Sequence, residues 1–287
     1  MQSLWMVAAG FLFACMAVCV KLAAEQYSVA EIFFYRSAIS LFYVVILLRM
    51  YGISIKTPLW ILHILRSGSG SFAMSLNFCA ISLLPLATAT TLSYTSPLFL
   101  AFFLAVLGKV RLNRGKVFAL TLGFFGVILL LHPTFNADQL FGGAIGLLGG
   151  MFGGFSFLNI KELALRGERD ERIVFYFSLV GTVVGLIWTL FLEFHPINLK
   201  GGLLLLGTGV FGVVAQLMMT RAYSRGNTLV TASLAYMTVV FAGLFGVILW
   251  NDILGIDACL AIFLIAASGV MSTWFSRLDS PPRKPDI

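Results

Sequence analysis

The sequence predicts an all-α integral membrane protein with ten transmembrane helices in two inverted five-helix repeats. The prediction depends on a shortage of charged residues, ten apolar segments of bilayer length and a partial internal repeat. Of the 287 residues, 60% are hydrophobic and only 11% are charged. A soluble domain carries about 25% charged residues, so the lipid bilayer is the expected solvent for most of this chain.

Ten segments meet the length that a bilayer requires, which is about 20 mostly apolar residues for a helix. Because a backbone in lipid must satisfy its own hydrogen bonds, segments of this length are predicted to be helices rather than barrel strands. In chain order the predicted helices are 4–22, 30–48, 64–84, 86–107, 115–132, 141–161, 172–192, 201–221, 229–249 and 256–276.

Several of these helices carry features of their own. The first, 4–22, lacks the basic residues that begin a signal peptide and is therefore predicted to be a retained helix. The second contains Arg36, the third and fourth are joined by the short connection 83–86, and the fourth contains Pro97 after a run of hydroxyl side chains. The sixth has small residues at a spacing of four, which let helices approach closely. This stripe consists of Gly142, Gly146, Gly150 and Gly154, with Gly149 and Gly153 beside it.

Basic residues are concentrated in alternate connections and in the C-terminal tail, which hold 16 of the 19 Lys and Arg residues. Because cytoplasmic loops are enriched in Lys and Arg, both termini are predicted to lie in the cytoplasm. The net charge of +7 follows from this asymmetry, so no nucleic-acid partner is expected. The residues assigned to this side are Arg49, Lys56, Arg66, Lys109, Arg111, Arg114, Lys116, Lys161, Arg166, Arg169, Arg172, Arg221, Arg225, Arg277, Arg283 and Lys284.

The two halves of the chain come into partial register when the sequence is shifted by 140 to 143 residues. Gly10 and Lys21 then meet Gly150 and Lys161. The stretch "TLSYTSPLF" (91–99) meets "SLAYMTVVF" (233–241), which pairs the tyrosines at 94 and 236. With five helices in each half, the second half must be inserted upside down. The predicted repeats are 1–137 and 138–287, and inverted repeats are typical of secondary transporters.

Four stretches resemble a known family: "LLPLATATTLSYTSPLFLAFFLAVLGKVRL" (83–112), "GFFGVILLLHP" (123–133), "ASLAYMTVVFAGLFGVILWNDIL" (232–254) and "IAASGV" (265–270). They are similar to the drug/metabolite transporter superfamily, in its ten-helix form with two EamA domains. The resemblance implies transport of an amino acid, an amino-acid derivative or a similar solute, by alternating access, with export more common than import.

The fourth predicted helix supplies most of the candidate substrate-binding residues. Thr90, Ser93, Tyr94 and Pro97 have the spacing of one helix face and are predicted to line a cavity. Tyr236 is the counterpart of Tyr94 in the repeat. A second, compatible interpretation concerns the backbone: a proline frees the carbonyl four residues earlier, that of Ser93, and neighbouring hydroxyls then bond it.

Arg36 is the most informative charge because it lies about 10 Å along its helix from the outer end. A charge inside a membrane segment indicates function by default, so Arg36 is predicted to anchor a carboxylate or phosphate. The alternatives are a structural ion pair, with Glu31 or Glu25, and snorkelling. Asn77 and Gln216 are also candidate substrate contacts, although amides within spans equally well bond neighbouring helices.

Lys21 and Lys161 occupy corresponding ends of the first and sixth predicted helices, on opposite sides of the membrane. As a symmetric pair they are candidate gating residues. Snorkelling of each lysine to its interface is the alternative.

No cofactor, metal site or enzymatic activity is expected. The chain has no Walker-type phosphate loop, and its four cysteines lie in apolar runs. The expected partners are a small-molecule substrate and membrane lipids, in a monomer or homodimer. The alternative function is a membrane-embedded enzyme or carrier for a lipid-linked substrate, which would use the acids Glu25, Glu31, Asp252 and Asp257.

Overall fold

In a computed structural model, the described residues are 2–84, 86–107, 114–131, 140–192, 194–250 and 255–278, and none of them is in a β-strand. A short 3-10 helix, Gln2–Leu4, precedes the first α-helix. The α-helices are α1 (Trp5–Ala23), α2 (Val29–Met50), α3 (Trp60–Leu83), α4 (Leu86–Ser93), α5 (Ser96–Val106), α6 (Arg114–Leu131), α7 (Leu140–Leu165), α8 (Asp170–Leu190), α9 (Leu199–Arg225), α10 (Thr228–Ala235), α11 (Met237–Trp250) and α12 (Ile256–Leu278).

Eight helical stretches of the described chain are long and apolar enough to cross a membrane. They are Gln2–Ala23, Val29–Met50, Thr88–Val106, Leu140–Leu165, Asp170–Leu190, Leu199–Arg225, Thr228–Leu249 and Ile256–Phe275. The predicted segments 64–84 and 115–132 coincide with the helices α3 and α6, which are not among the eight. The protein is therefore all-helical and membrane-embedded, whereas a total of ten spans stays a prediction.

One residue counted with the basic connections is buried inside a helix. Arg66 is counted there although it is the third residue of the predicted helix 64–84. Because α3 begins at Trp60, Arg66 lies more than a turn inside the helix and is only 2% exposed. The prediction was wrong because His63, Arg66 and the polar run that follows hide the apolar start of α3.

The predicted helix 86–107 is broken in the middle, between α4 and α5. Pro97 lies in the first turn of α5, where its missing N–H removes no hydrogen bond within α5. The Ser96 hydroxyl donates to the freed carbonyl of Ser93 at 2.6 Å, and the Thr95 hydroxyl donates to the Leu92 carbonyl at 2.6 Å. These bonds confirm the prediction that the hydroxyl run satisfies the backbone beside the proline.

The predicted helix 229–249 is interrupted at the corresponding point. Its first part, α10, ends at Ala235, and α11 begins at Met237. The intervening Tyr236 is the residue that the repeat pairs with Tyr94, which lies in the first break. This second break contains no proline, so the two halves share the interruption and not its chemical cause.

The glycine stripe of α7 is a close-packing surface, as the sequence predicts, and two of its glycines lie against the first break. A Cβ at Gly154 would lie 2.7 Å from the Ser96 carbonyl oxygen and 2.8 Å from the Leu100 nitrogen, and a Cβ at Gly150 would overlap Thr95. Gly10 of α1 has an equivalent place, because its Cβ would lie 3.0 Å from a side-chain atom of Thr238, beside the second break. Each break is therefore packed against a glycine of the other half of the chain.

Packing between helices mostly joins one half of the chain to the other. The largest contacts are those of α3 with α7, α1 with α9, α2 with α8 and α6 with α12. In the predicted repeat, the counterparts of α1, α2, α3 and α6 are α7, α8, α9 and α12. If each helix is replaced by its counterpart, the contact of α3 with α7 becomes that of α9 with α1. The contacts of α2 with α8 and of α6 with α12 are unchanged.

At each end of the bundle, a carboxylate of one half contacts a histidine of the other half. At the end formed by residues 51–59 and 166–169, named here the basic end, His63 Nε2 lies 3.0 Å from Glu168 Oε2. At the other end, His195 Nδ1 lies 2.9 Å from Glu31 Oε2, and the His195 backbone N–H donates to Glu31 Oε1 at 2.6 Å.

Candidate binding cavity

A cavity of about 420 Å³ lies among helices from both halves of the chain. Its walls are formed by α1, α2, α3, α5, α7, α8, α9, α11 and the two breaks. The lining residues are Met6, Phe13, Met16, Ala17, Arg36, Arg66, Gly70, Ala73, Met74, Asn77, Ser93, Tyr94, Ser96, Pro97, Gly153, Ser156, Phe157, Phe177, Gln216, Met219, Ala235 and Thr238.

Most of the residues singled out in the sequence meet in this cavity. The predicted residues that line it are Arg36, Asn77, Ser93, Tyr94, Pro97 and Gln216. Thr90 does not line it, although it lies one turn before Ser93 in α4. Tyr236 is fully buried behind the wall, with its ring centroid 6.3 Å from that of Tyr94.

Arg36 is buried in α2 and faces the cavity without an acidic partner among the described residues. Its Nη1 contacts the Met74 sulfur at 3.9 Å, and its Nε has no hydrogen-bond partner. Glu31 is occupied elsewhere, by His195 and by the N-terminal cap at Ser28. The suggested ion pair between Arg36 and Glu31 is therefore absent.

Arg66 is a cavity residue that the sequence interpretation missed. Its Nη1 donates to the Ser156 hydroxyl at 2.6 Å, its guanidinium lies 4.4 Å from the centre of the Phe177 ring, and its Nε has no partner. Gly70 makes room for this arrangement, since a Cβ there would lie 2.7 Å from Arg66 Nη1. A signal was available in the sequence: Arg66 precedes "SGSGS" (67–71), and small residues of this kind let helices pack closely.

The remaining wall combines soft apolar side chains with a few amides. Met6, Met16, Met74 and Met219 contribute sulfur-containing side chains, which adapt readily to irregular shapes. Other polar groups bond one another or stay open to the cavity: the Asn77 amide donates to the Ser93 hydroxyl at 3.1 Å, while Gln216 Nε2 has no partner.

Comparison with models of protein families identifies the family of this chain. The model of the EamA-like transporter family matches residues 1–132 and again residues 140–274. The chain belongs to the EamA-like transporter family. This EamA-like transporter therefore has two EamA domains and falls within the drug/metabolite transporter superfamily, as the sequence predicts.

Two relatives of the EamA-like chain are bacterial transporters. The pseudopaline exporter of Pseudomonas aeruginosa is 31% identical over 249 residues, which cover 86% of this chain and 87% of the exporter. An uncharacterized transporter of Helicobacter pylori is 27% identical over 274 residues, covering 92% and 91% of the two chains. A protein of known crystal structure superposes with a TM-score of 0.86 at 18% identity, covering 96% of this chain and 98% of its own.

These similarities decide the class of function. The EamA-like chain is a multi-pass membrane transporter rather than an enzyme, because the family and its named relatives are transporters. No group of three or more His, Cys, Asp or Glu side chains suited to a metal occurs in the part of the chain that the structure describes. Asp252, one of the acids considered for a lipid-linked substrate, lies outside the described residues.

The two candidate gating lysines of the EamA-like chain have different surroundings. Lys161 is half-buried, and its Nζ donates to the carbonyls of Ser224 at 3.0 Å and Gly226 at 3.3 Å. It thereby bonds the C-terminal end of α9, where helix carbonyls lack backbone partners. Lys21 is exposed. Neither lysine lines the cavity.

Proposed function

We propose that this protein is a secondary transporter that moves a small metabolite across the bacterial inner membrane by alternating access, and that it exports its substrate. The observation that carries the proposal is the cavity of about 420 Å³, which is lined by polar side chains of both halves and by two arginines of the first half. A 31% identical relative is named as an exporter of pseudopaline, which supports export of a metabolite.

The proposed architecture consists of ten transmembrane helices in two inverted repeats, 1–137 and 138–287. Two similarities between the halves support it. The breaks occur beside Tyr94 and at Tyr236, which the sequence register pairs. Gly10 and Gly150, also paired by the register, each approach the break of the other half. The broken helices near the middle of the bundle resemble the discontinuous helices that form transporter sites.

Alternating access requires that each end of the bundle open in turn. The Glu168–His63 contact at the basic end and the Glu31–His195 contact at the other end are proposed to hold the halves together when the respective end is closed. Lys161 is proposed to act at the basic end as a gating residue by bonding α9, and Lys21 to act at the opposite end when that end closes.

The substrate is proposed to be an amino acid, an amino-acid derivative or a similar solute. Arg36 would hold an anionic group, and the polar cavity residues would bond the rest of the solute. The proposed substrate-binding set is Arg36, Asn77, Thr90, Ser93, Tyr94, Pro97, Gln216 and Tyr236. Thr90 and Tyr236 would act from behind the wall rather than by direct contact.

The basic end is proposed to face the cytoplasm, with both termini on that side. Because one chain supplies both halves of the cavity, a monomer would hold a complete site, and a homodimer would hold two. Lipids would cover the outward apolar faces, where side chains such as Phe42, Phe125 and Phe263 are exposed.

The experiment is ligand-dependent thermal stabilisation of the purified protein across a metabolite panel, followed by counterflow of any hit in proteoliposomes. Arg36→Gln is expected to abolish stabilisation by the hit, and Tyr94→Phe to weaken it. Arg49→Gln, which changes an exposed arginine at the end of α2, is the control. A hit that all three variants retain would leave transport in place and disprove this site. The absence of both stabilisation and counterflow for every metabolite would contradict the proposed function.

A further inference from the structure

The described residues that line the cavity include two positively charged side chains and no negatively charged one. The two charged residues are Arg36 and Arg66. Both are buried, at 9% and 2% exposure, and the described residues place no carboxylate within ion-pair distance of either guanidinium. A solute with a net positive charge would therefore be repelled, and an anion would be attracted.

Both guanidinium groups are incompletely bonded. The Nε atoms of Arg36 and Arg66 are fully buried without a hydrogen-bond partner. A buried charge without a counter-charge costs several kcal/mol, so two such arginines in one cavity indicate that anionic ligand atoms complete their bonding. A guanidinium binds carboxylate or phosphate oxygens with two parallel hydrogen bonds.

The two arginines are placed to hold separate groups. Arg66 Nη1 lies beside Gly70, and Arg36 Nη1 contacts the Met74 sulfur. Gly70 and Met74 are four residues apart on α3, which is one helical turn, or about 6 Å. Ser156 and Phe177 fix the Arg66 guanidinium by a hydrogen bond and a ring contact, so it is held in place rather than free to swing toward Arg36.

We infer that the transported solute carries two anionic groups, one bound by Arg36 and the other by Arg66, with the apolar middle of the solute against the methionines and Phe177. The N-terminus of α5 acts in the same direction, because its partial positive charge lies at Ser96, which also lines the cavity. The inference rests on the proposed function and narrows its substrate to dianions with groups about one helical turn apart.

Matched solutes that differ in one charge provide the test. Straight-chain dicarboxylates from succinate to pimelate are compared with their monoamides, which keep the length and lose one charge. Thermal stabilisation and Kd are measured for the detergent-purified protein. We expect at least one dicarboxylate to bind ten-fold or more tightly than its monoamide. Propyl phosphate, which carries its charge on a single group, is expected to bind no better than a monoamide.

The variants Arg36→Gln and Arg66→Gln assign the groups. Each is expected to reduce the ratio of dicarboxylate to monoamide affinity to about one, whereas Arg49→Gln is expected to leave it unchanged. Arg66→Lys, which keeps the charge, is expected to retain part of the preference and serves if Arg66→Gln does not fold.

Three results would overturn the inference: no dicarboxylate binds, dicarboxylates and monoamides bind alike, or propyl phosphate binds as tightly as the best dicarboxylate. The last result would mean that both arginines hold one group. Counterflow of a solute without two anionic groups would disprove the inference of a dianionic substrate and leave the proposed transport function in place. Absence of counterflow for every metabolite and dicarboxylate would contradict both.

Discussion

At the scale of single residues, burial of a charged side chain can be predicted from the sequence only when the residue lies well inside an apolar segment. Arg36 has apolar neighbours on both sides, so its burial could be predicted. Arg66 follows His63 and precedes a polar run at the start of the predicted helix 64–84, and the same reasoning counted it with the basic connection before that helix. The pairing of Glu168 with His63 could not be predicted, because the two residues are 105 positions apart and meet only through tertiary packing.

Ser96→Ala is expected to destabilise the protein by about 1–3 kcal/mol, the cost of leaving a buried acceptor without a partner. The Ser96 hydroxyl bonds the Ser93 carbonyl, which Pro97 deprives of a backbone donor. Ser75→Ala is the matched control, because the Ser75 hydroxyl bonds the Ser71 carbonyl within an unbroken helix. Thermal unfolding in detergent measures both. Equal unfolding temperatures for the two variants would contradict the role assigned to Ser96.

Glu168 has a pKa below its ordinary value, although its environment acts in both directions. Burial by itself raises the pKa of Glu168. Hydrogen bonds from Thr57 at 2.6 Å, from His63 and from the Arg169 backbone N–H, together with the charge of Arg172, lower the pKa by more. The charged form of Glu168 therefore stabilises the folded state.

This stabilisation is expected to depend on pH with a definite sign. It is complete above the ordinary pKa of a glutamate, about 4.3, and it is lost as the pH falls through the lower pKa of the folded state. The unfolding temperature of the native protein should therefore fall more between pH 6 and pH 3.5 than that of Glu168→Gln. Glu171→Gln is the control and should follow the native protein. A native-like pH dependence in Glu168→Gln would disprove the assignment.

At the scale of the helices, the sequence predicts the first break better than the second. Pro97 marks the first, and its hydroxyl neighbours show how the backbone is satisfied. The second lacks a proline, and only its register with the first points to it. The glycine stripe of α7 was predicted to be a packing surface, but its partner, the α4–α5 break, became apparent only in the folded chain.

Gly150→Leu is expected to prevent close packing of α7 on the first break. The added side chain would overlap Thr95 and approach the Leu92 carbonyl at 2.7 Å or less, and overpacking of this kind typically costs about 1–3 kcal/mol. Gly68→Leu is the control, because a Cβ at Gly68 meets no atom within 4 Å. The yield of folded protein and its unfolding temperature should fall for the first variant only. If Gly150→Leu unfolds at the native temperature, the close approach is not needed for stability.

At the scale of the whole molecule, periodicity and charge predict the class of fold because the bilayer imposes strong constraints on both. The family comparison confirms that class. The cavity was less predictable: the candidate residues singled out in the sequence supply six of its lining residues, and the apolar residues of the wall resemble those that face lipid. Only the packing of the folded chain distinguishes the apolar residues of the cavity wall from those that face lipid.

The proposed orientation is tested by labelling single cysteines in a variant without native cysteines. A cysteine in place of the exposed Lys56 should react with a membrane-impermeant maleimide only after the cells are permeabilised. A cysteine in place of the exposed Gln26 should react in intact cells. The opposite pattern would reverse the orientation, and equal labelling of both positions in intact cells would contradict a fixed topology.

Four methionines in the cavity wall have a consequence for redox stress. Oxidation converts a methionine thioether into a polar sulfoxide, and Met74 lies directly against the Arg36 guanidinium. A sulfoxide oxygen at this position is a hydrogen-bond acceptor and would occupy the arginine in place of an anion. Peroxide would therefore inhibit anion binding by oxidising the cavity wall.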